Sequence, residues 1–310
     1  MPIVVIGNVF VDIKGFPDSK YIPAGRNAGS VEIVHGGVGR NLVEDIANVE
    51  LRPRFVSMVD DTAQGEEVLH KLNNHKVDTR FVARVPDGMG LWLAVFDSTG
   101  DIASSISKRP RMEAMLDLLE EQGDAIFADA DSIVIEIDME KDVIKKVLQY
   151  AEKYHKRVFA VVANMSIASL RRDFLQSIDC FVCNLQEAGI LFAADFNDTE
   201  PEELGREMVE RLQSAKIPSM VVTIGSRGAV YADIDGNYGH CPPYTVRVRD
   251  TTGAGDAFCA GVAIGLTYGK TMAEACEIGS RLASSVITVS ENTCPRFLPQ
   301  ELGLDVAVED

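Results

Sequence analysis

The stretch RDTTGAGDAFCAG, residues 249–261, joins a glycine-rich turn to a run of small apolar residues. Glycine adopts backbone conformations that other residues avoid and lets the chain approach a ligand closely. The residues after the turn, AFCAGVAIGL, suit a helix packed tightly against a sheet. The stretch therefore predicts a turn, a helix start and, in the first turn of that helix, a single carboxylate, Asp256.

The backbone amides at this predicted helix start give the turn its chemistry. The first N–H groups of a helix have no intrahelical partner, so those around Gly253, Ala254 and Gly255 would form an anion hole for a phosphate. Asp256 would lie beside this hole, where a carboxylate can accept the proton of an attacking hydroxyl. The simpler alternative is an aspartate that caps a helix after a glycine turn.

Strand-like and helical segments alternate along most of the 310 residues. The opening IVVIGNVFVDI reads as one β-branched strand, and GRNLVEDIANV has helical spacing, with Leu42, Ile46 and Val49 on one face. Near-continuous Val/Ile strands such as SIVIEID and SMVVTIG predict a parallel sheet covered on both faces. We expect one α/β domain over residues 1–310, doubly wound, with helices on both faces of a mainly parallel central sheet.

Two segments, at about residues 14–37 and 89–108, break this alternation and lack helical spacing. In the second, two alternating runs flank DSTGD, which predicts a hairpin with Gly100 in the turn. We expect the two segments to form a small β-sheet that projects from the main sheet as a lid. Its apolar face, with the single tryptophan Trp92, would need cover from a substrate or a second subunit.

Two patterns near the start of the chain are candidates for binding hydroxyl groups. In HGGVGRN, Gly36 and Gly37 precede a helix whose first turn carries Asn41, which suits backbone and amide contacts to a sugar. In GNVFVDI, the even spacing of Asn8 and Asp12 would put both on one face of a strand. A plain glycine turn and a solvated strand end are the alternatives.

Two more patterns lie in the second half of the chain. In CNLQEAG, Asn184 and Glu187 are three residues apart, which suits Mg²⁺-bound water near a phosphate but equally a helix capping box. In VVTIGSRG, Thr223 ends a buried strand, and Gly225 and Gly228 form a turn. That turn would border a nucleotide or simply connect two strands.

Charge and cysteine content exclude several classes of function. The net charge of −17 and the pI of about 4.7 disfavour nucleic acid and anionic membranes as partners. We find no apolar run long enough to span a bilayer and no basic leader at the start. The six cysteines are scattered, and Cys180 and Cys183 lack partners for a zinc site, so we expect reduced thiols and a cytoplasmic protein.

Together, and in this order, these patterns resemble the ribokinase-like (PfkB) family of carbohydrate and nucleoside kinases. GGVGRN is similar to its first signature and RDTTGAGDAFCAG to its second, and the resemblance covers essentially the whole chain. It implies phosphoryl transfer from ATP, with Mg²⁺, to the primary hydroxyl of a sugar or nucleoside. It also implies that the lid forms a homodimer.

The resemblance implies a role for each candidate residue. Asp256 would be the catalytic base beside an anion hole formed by Gly253, Ala254 and Gly255. The substrate side would take Asp12, Gly36, Gly37 and Asn41, with Asn8 and Glu136 as further candidates. The ATP side would take Asn184, Thr223, Gly225, Gly228 and Thr252, with Glu187 holding Mg²⁺ through water. Asp250 and Thr252 match part of a potassium site, so K⁺ is a further candidate cofactor.

Departures from the family pattern bear on the substrate. Ribokinases usually carry lysine within the first signature, whereas this chain has Val38, followed by Gly39 and Arg40. GGVGRN together with FDSTGD looks more like the pseudouridine-kinase branch, so we predict a pseudouridine 5′-kinase. The alternatives are ribokinase, adenosine kinase or fructokinase activity, and a non-catalytic sugar- or nucleoside-binding regulator on the same fold.

Overall fold

The computed structural model describes residues 2–289 and 291–306. Its strands are β1 Ile3–Ile6, β2 Phe10–Pro17, β3 Gly29–Gly36, β4 Arg54–Val59, β5 Asp78–Arg84, β6 Gly90–Phe96, β7 Ile102–Lys108, β8 Ser132–Glu136, β9 Arg157–Val161, β10 Cys180–Asn184, β11 Ser219–Thr223, β12 Ala229–Asp233 and β13 Tyr238–Cys241. Its α-helices are α1 Val38–Asn48, α2 Ala63–Asn74, α3 Glu113–Phe127, α4 Lys141–Tyr154, α5 Met165–Ala168, α6 Arg172–Leu175, α7 Leu185–Phe192, α8 Pro201–Ala215, α9 Ala254–Thr267 and α10 Met272–Val286.

Nine strands form the central sheet, in the order β13-β12-β11-β10-β9-β8-β1-β4-β5. Strands β4, β5, β1, β8, β9, β10 and β11 run parallel, and β12 and β13 add an antiparallel edge. One apolar core lies between this sheet and α1, α2, α9 and α10, and a second core lies on the opposite face under α3, α4, α7 and α8. The predicted doubly wound α/β fold is confirmed.

The remaining four strands form a separate small sheet in the order β3-β2-β6-β7. Strands β6 and β7 are the predicted hairpin, and β2 pairs parallel with β6 and antiparallel with β3. Residues 14–37 and 89–108 therefore do contribute to a second sheet, although β2 starts earlier than expected, at Phe10. We call this four-stranded sheet the lid.

The opening of the chain differs from the sequence prediction of one continuous strand. The chain leaves the central sheet after β1, and in the connection to β2 the backbone N–H and the side-chain amide of Asn8 both donate to Glu136, each at 2.8 Å. Asn8 therefore lies in the connection, whereas Asp12 lies on β2 in the lid. The prediction that Asn8 and Asp12 share one strand face is wrong for this reason.

Three of the four neighbouring parallel strands β8, β9, β10 and β11 end in candidate residues. Glu136, Asn184 and Thr223 are the last residues of β8, β10 and β11, and Asn184 lies in register with Thr223. Carboxyl ends of parallel strands share one edge of a sheet, and ligands of α/β proteins bind there. The fold thus collects residues from distant parts of the sequence along one crevice.

The cysteines and the helices within residues 2–289 and 291–306 bear on two of the sequence predictions. All six cysteines are free and buried, with Cys180 and Cys183 in different cores on the two faces of β10. No helix in these two ranges combines the length and the apolar composition that a bilayer span requires.

Candidate active site

The glycine turn leads directly into α9, as the sequence predicts. Gly253 is the N-cap residue and has a φ of 81°, in the left-handed region that favours glycine. A Cβ added at Gly253 would lie 2.0 Å from the carbonyl oxygen of Asn292, so the position is constrained by space as well as by conformation. The backbone of Asn292 therefore packs directly against the turn.

The structure narrows the predicted anion hole. The amide of Ala254 is bonded to the carbonyl oxygen of Thr251 at 3.2 Å and is not free for a ligand. Within the described part of the chain, no acceptor is bonded to the amides of Gly255 or Asp256. A Cβ added at Gly255 would meet no atom within 4 Å, so this point of the helix faces open space. Gly253, Gly255 and Asp256 are thus the residues of the turn whose amides have no bonded acceptor in the described part of the chain, and of these Gly255 faces the open space.

Asp256 lies in the first turn of α9 and is partly buried. Asn41, in the first turn of α1, donates a hydrogen bond of 2.6 Å from Nδ2 to Oδ2 of Asp256. Burial raises the pKa of Asp256 to about 6, while the Asn41 hydrogen bond and the charge of Arg40 oppose the rise. The carboxylate is therefore held in place and ionised at neutral pH with a basicity above that of an ordinary aspartate.

Asp12 faces the same region from the lid. Its carboxylate lies against Gly36, where an added Cβ would be 2.3 Å from Oδ2, and Trp92 on β6 is its partner in register. Burial raises the pKa of Asp12, and Lys14 and Arg40 oppose the rise. Because Lys14 shares the face of Asp12 and also lowers the pKa of Asp250, this face of the lid looks toward the glycine turn.

Trp92 lies on the face of the lid opposite to its exposed apolar side chains. It is half-buried and alternates along β6 with Leu91 and Leu93, which are exposed on the opposite face. Trp92 therefore shares the cleft-facing side with Asp12.

Glu136 is 1% exposed, beneath the loop that carries the first candidate residues. Its Oε1 accepts hydrogen bonds from the backbone N–H groups of Asn8 and Gly39, at 2.8 and 2.5 Å, and its Oε2 accepts the side chain of Asn8. Burial and the nearby Asp138 raise the pKa of Glu136 to about 8. In this arrangement Glu136 and Asn8 tie β1 to the start of α1, and direct substrate contacts by either stay a prediction.

Asn184 and Glu187 cap α7 in both directions. The side chain of Asn184 accepts from the amide of Glu187 at 2.9 Å, and Glu187 accepts from the amide of Asn184 at 2.8 Å. The capping-box alternative is thus realised. Burial raises the pKa of Glu187, which is near enough to Asp256 to influence it. The pair therefore borders the crevice while it also caps a helix.

No cluster of three metal-ligating side chains exists in the described ranges. Mg²⁺ commonly keeps several waters and binds through phosphates and one or two carboxylates. Glu187, partly exposed beside Asp256, fits such a water-mediated role, whereas a protein-only magnesium cage does not fit this site.

A cavity of about 500 Å³ adjoins the glycine turn. Thr223, Gly225 and Gly228 line one side, and Ala254 and Gly255 line the end beside Asp256. The other walls are residues 243–246 and 248 together with Phe258, Ser280, Ala283, Ser284 and Ile287. This size suits a nucleotide-sized ligand. A cavity of about 670 Å³ between α1, α2 and residues 289, 291 and 293–296 contains none of the predicted site residues.

Asp250 and Thr252 form a local turn next to this cavity. Oδ1 of Asp250 accepts from the amide and the hydroxyl of Thr252, at 2.9 and 2.8 Å. These contacts organise the segment before the turn, and a potassium site there stays a prediction.

The glycine turn, its carboxylate and the adjoining cavity have the arrangement expected of a phosphoryl-transfer site, and comparisons with known proteins agree. The profile of the pfkB carbohydrate kinases matches residues 2–296. The chain belongs to the pfkB family of carbohydrate kinases. As a pfkB kinase it uses ATP to phosphorylate a sugar or a nucleoside, in agreement with the sequence prediction.

Curated pfkB relatives include two nucleoside kinases. A guanosine-inosine kinase from Exiguobacterium acetylicum is 33% identical over 94% of this chain and 95% of its own length. A pseudouridine kinase from Escherichia coli is 25% identical over 94% of this chain and 92% of its own length. Among solved structures, the ribokinase of Arabidopsis thaliana complexed with ribose and ATP has a TM-score of 0.81 at 20% identity, covering 97% of this chain and 98% of that one.

Sequence reasoning did not assign several features of this pfkB site. The segment 243–248 and the cavity-facing side of α10 carry no recognisable pattern, so the wall opposite Thr223 was not predicted. The sequence pattern marks Arg40 as a departure from the family's first signature but assigns it no role, and no pattern singles out Asn292. Only the unusual Arg40 within a glycine-rich loop offered a signal.

Proposed function

We propose that this pfkB kinase is a nucleoside kinase that transfers the γ-phosphoryl group of ATP to a 5′-hydroxyl group. The observation that carries the proposal is the Asp256 carboxylate, held by Asn41 at 2.6 Å beside the free amides at the start of α9. A non-catalytic regulator would have no use for a carboxylate oriented at a phosphate-sized opening.

Asp256 acts as the base in this proposal. Its carboxylate accepts the proton of the 5′-hydroxyl as that oxygen forms its bond to the γ-phosphorus, and the bond from phosphorus to the bridging β-phosphate oxygen breaks. The products are the 5′-phosphate and ADP. The amides of Gly255 and Asp256 donate to the oxygens of the transferring group, where negative charge is concentrated.

The nucleotide would occupy the cavity of about 500 Å³, with its phosphates toward Gly255. Mg²⁺ would neutralise phosphate charge, with Glu187 reaching its water shell. A potassium ion near Asp250 and Thr252 would strengthen the positive potential at the turn, which predicts higher activity in KCl than in NaCl.

Two observations support a nucleoside over a free sugar. Trp92 lies next to Asp12 on the cleft-facing side of the lid, where an indole can stack on a base while the carboxylate binds ribose hydroxyls. The guanosine-inosine kinase is similar over nearly the whole chain. We therefore place guanosine and inosine first, and the pseudouridine preference inferred from GGVGRN and FDSTGD stays a prediction.

The test is a coupled assay of ADP release with guanosine, inosine, adenosine, pseudouridine, uridine, ribose and fructose. We expect the highest kcat/KM with guanosine or inosine. Asp256→Asn should lower kcat by roughly 10²–10⁴-fold, because the base is lost while the shape is kept. Nucleoside affinity should change less than about threefold, read from the fluorescence of the single tryptophan, Trp92.

The control variant is Asp142→Asn, which removes a carboxylate exposed on α4 and should leave kcat unchanged. Near-normal turnover in Asp256→Asn would contradict the assignment of the base. Nucleoside binding without ADP release across the whole panel would instead favour the regulator, and preference for ribose or fructose would refute the nucleoside assignment.

We also propose that the protein forms a homodimer through the lid. The face of the lid opposite Trp92 exposes Val31, Ile33, Leu91, Leu93 and Ile106. A second copy of the chain would cover these apolar side chains from water.

A further inference from the structure

Arg40 is the largest fully buried polar side chain of the site region, at 1% exposure. Its guanidinium donates to three groups: Oε2 of Glu44 at 2.6 Å, the carbonyl oxygen of His35 at 2.5 Å and Oδ1 of Asn292 at 3.0 Å. A buried arginine needs such partners because an unpaired charge in the interior is costly. Three separate segments of the chain thus meet at one guanidinium.

Asn292 closes a triangle of hydrogen bonds at this point. Its Nδ2 donates to the same carbonyl oxygen of His35, at 3.2 Å, while its Oδ1 accepts from Arg40. His35 is the next-to-last residue of β3, immediately before the Gly36–Gly37 loop. The backbone oxygen of Asn292 lies against Gly253. A single residue, Asn292, therefore connects the end of a lid strand through its side chain to the glycine turn through its backbone.

The polar face of α1 holds residues 292–294 in place at three further points. Glu44 accepts from the hydroxyl of Thr293 at 3.0 Å, Asp45 accepts from the amide of Cys294 at 2.6 Å, and Asn48 donates to the carbonyl oxygen of Cys294 at 2.6 Å. These residues lie four to eight positions after Arg40, on the same side of the helix. The segment behind the glycine turn is thus fixed to the helix that also carries Asn41.

We infer that Arg40 and Asn292 are positioning residues, which align the sugar-binding side of the site with the phosphate-binding turn. When they are intact, the lid strand, Asn41 and Gly253 keep one relative position. The attacking hydroxyl and the phosphorus are then aligned for reaction as soon as both substrates are bound. Neither residue takes part in the chemistry. The inference rests on the proposed phosphoryl transfer.

Arg40 also contributes its charge. It lowers the pKa of both Asp12 and Asp256 against the effect of burial. The other titratable groups that influence or are influenced by Asp256 are Asp45 on α1, Glu187 on α7 and Cys259 on α9 itself. Arg40 is the one cation among these described groups, so its removal should raise the pKa of Asp256.

The test compares Asn292→Ala, Arg40→Lys, their combination and Arg40→Met. Lysine keeps the positive charge but lacks the planar guanidinium group, which donates to several fixed acceptors at once. For each variant, kcat is measured from pH 5 to 9, and ATP and nucleoside dissociation constants are measured by calorimetry. Arg54→Lys is the matched control, since Arg54 is a buried arginine paired with Asp78 and Asp129 away from the site.

We expect Asn292→Ala and Arg40→Lys each to lower kcat by roughly 10- to 100-fold, with dissociation constants changed less than about threefold, because misalignment affects the reaction and not binding. The combined variant should lose little more than either single one, because both changes break the same triangle. Arg40→Met alone should move the acid limb of the kcat profile to higher pH. Arg54→Lys should alter thermal stability without altering the pH profile.

Unchanged kcat in Asn292→Ala and Arg40→Lys would overturn the inference, and so would losses that multiply in the combined variant. If Arg40→Met does not fold, the other two variants still decide. Failure of the proposed function is a separate result: the wild-type enzyme would then phosphorylate no nucleoside in the panel.

Discussion

Asp256 combines two requirements that oppose each other. The proposed base must be ionised at neutral pH, yet Asp256 is partly buried beside the proposed anion hole, and burial raises its pKa to about 6. The Asn41 hydrogen bond and the charge of Arg40 reduce this penalty but do not remove it. Ionised Asp256 therefore lowers the free energy of unfolding, as is common for residues at functional sites.

Replacement of Asp256 by asparagine should stabilise the protein at neutral pH. The folded-state pKa lies above the ordinary value of 3.8, so the folded protein binds the proton more tightly than the unfolded chain. The penalty is absent below pH 3.8, develops as pH rises and is complete above about pH 6. With one pKa unit equal to about 1.4 kcal/mol, and with a discount for partial exposure, we expect a gain of roughly 1–3 kcal/mol at pH 7.5.

The measurement is urea denaturation of wild type and Asp256→Asn at pH 7.5 and at pH 4. The advantage of the variant should shrink at pH 4, where the wild-type carboxyl is largely protonated in the folded state. An equal difference at both pH values would show that ionisation of Asp256 is not the cause.

At the scale of elements, α9 and α10 meet through very small residues. A Cβ added at Gly261 would lie 2.6 Å from the Cα of Gly279, so the two helices touch backbone to backbone. This close contact explains why the residues after the glycine turn are small and apolar. It also fixes α9, whose first turn carries Gly255 and Asp256, against α10.

Two alanine substitutions in α9 should therefore have opposite effects. Gly261→Ala should destabilise the fold by about 1–3 kcal/mol, because the helices must separate to admit a methyl group. Gly255→Ala meets no protein atom and should leave thermal stability unchanged or slightly higher, yet lower kcat/KM because the methyl group enters the phosphate space. Melting temperatures and steady-state kinetics of the two variants provide the comparison, and equal loss of stability in both would contradict it.

At the scale of the whole molecule, the lid has two different faces. The side with Asp12 and Trp92 looks into the cleft, and the other side exposes Ile33 and Ile106 at 57% and 68%. Such an exposed apolar face of a β-sheet is unfavourable in water unless another protein surface covers it.

With the proposed lid interface, we expect the wild type to be a dimer and the double variant Ile33→Glu/Ile106→Glu to be a monomer at the same concentration, because like charges would be buried across the interface. Analytical ultracentrifugation measures both states. Leu170→Glu, at an apolar residue 85% exposed elsewhere, is the control and should remain dimeric. A monomeric wild type, or a double variant that still dimerises, would refute the lid interface.

The sequence by itself determined the features that local chemistry controls. Alternating periodicity predicted the doubly wound sheet, and RDTTGAGDAFCAG predicted the turn, the start of α9 and Asp256, because glycine favours the left-handed backbone conformation that such a turn requires, as at Gly253. The hairpin around Gly100 was predicted for the same local reason. The family followed from these patterns.

Tertiary structure decided what depends on residues far apart in the chain. The connection between β1 and β2 is bonded through Asn8 to Glu136, which lies 128 residues away, and no local sequence pattern predicts that contact. The pairing of Asn41 with Asp256 spans 215 residues, and that of Arg40 with Asn292 spans 252. A buried polar group forms a hydrogen bond with the partner that the fold brings near. These contacts are therefore set by tertiary packing and could not be inferred from the spacing of residues in the sequence.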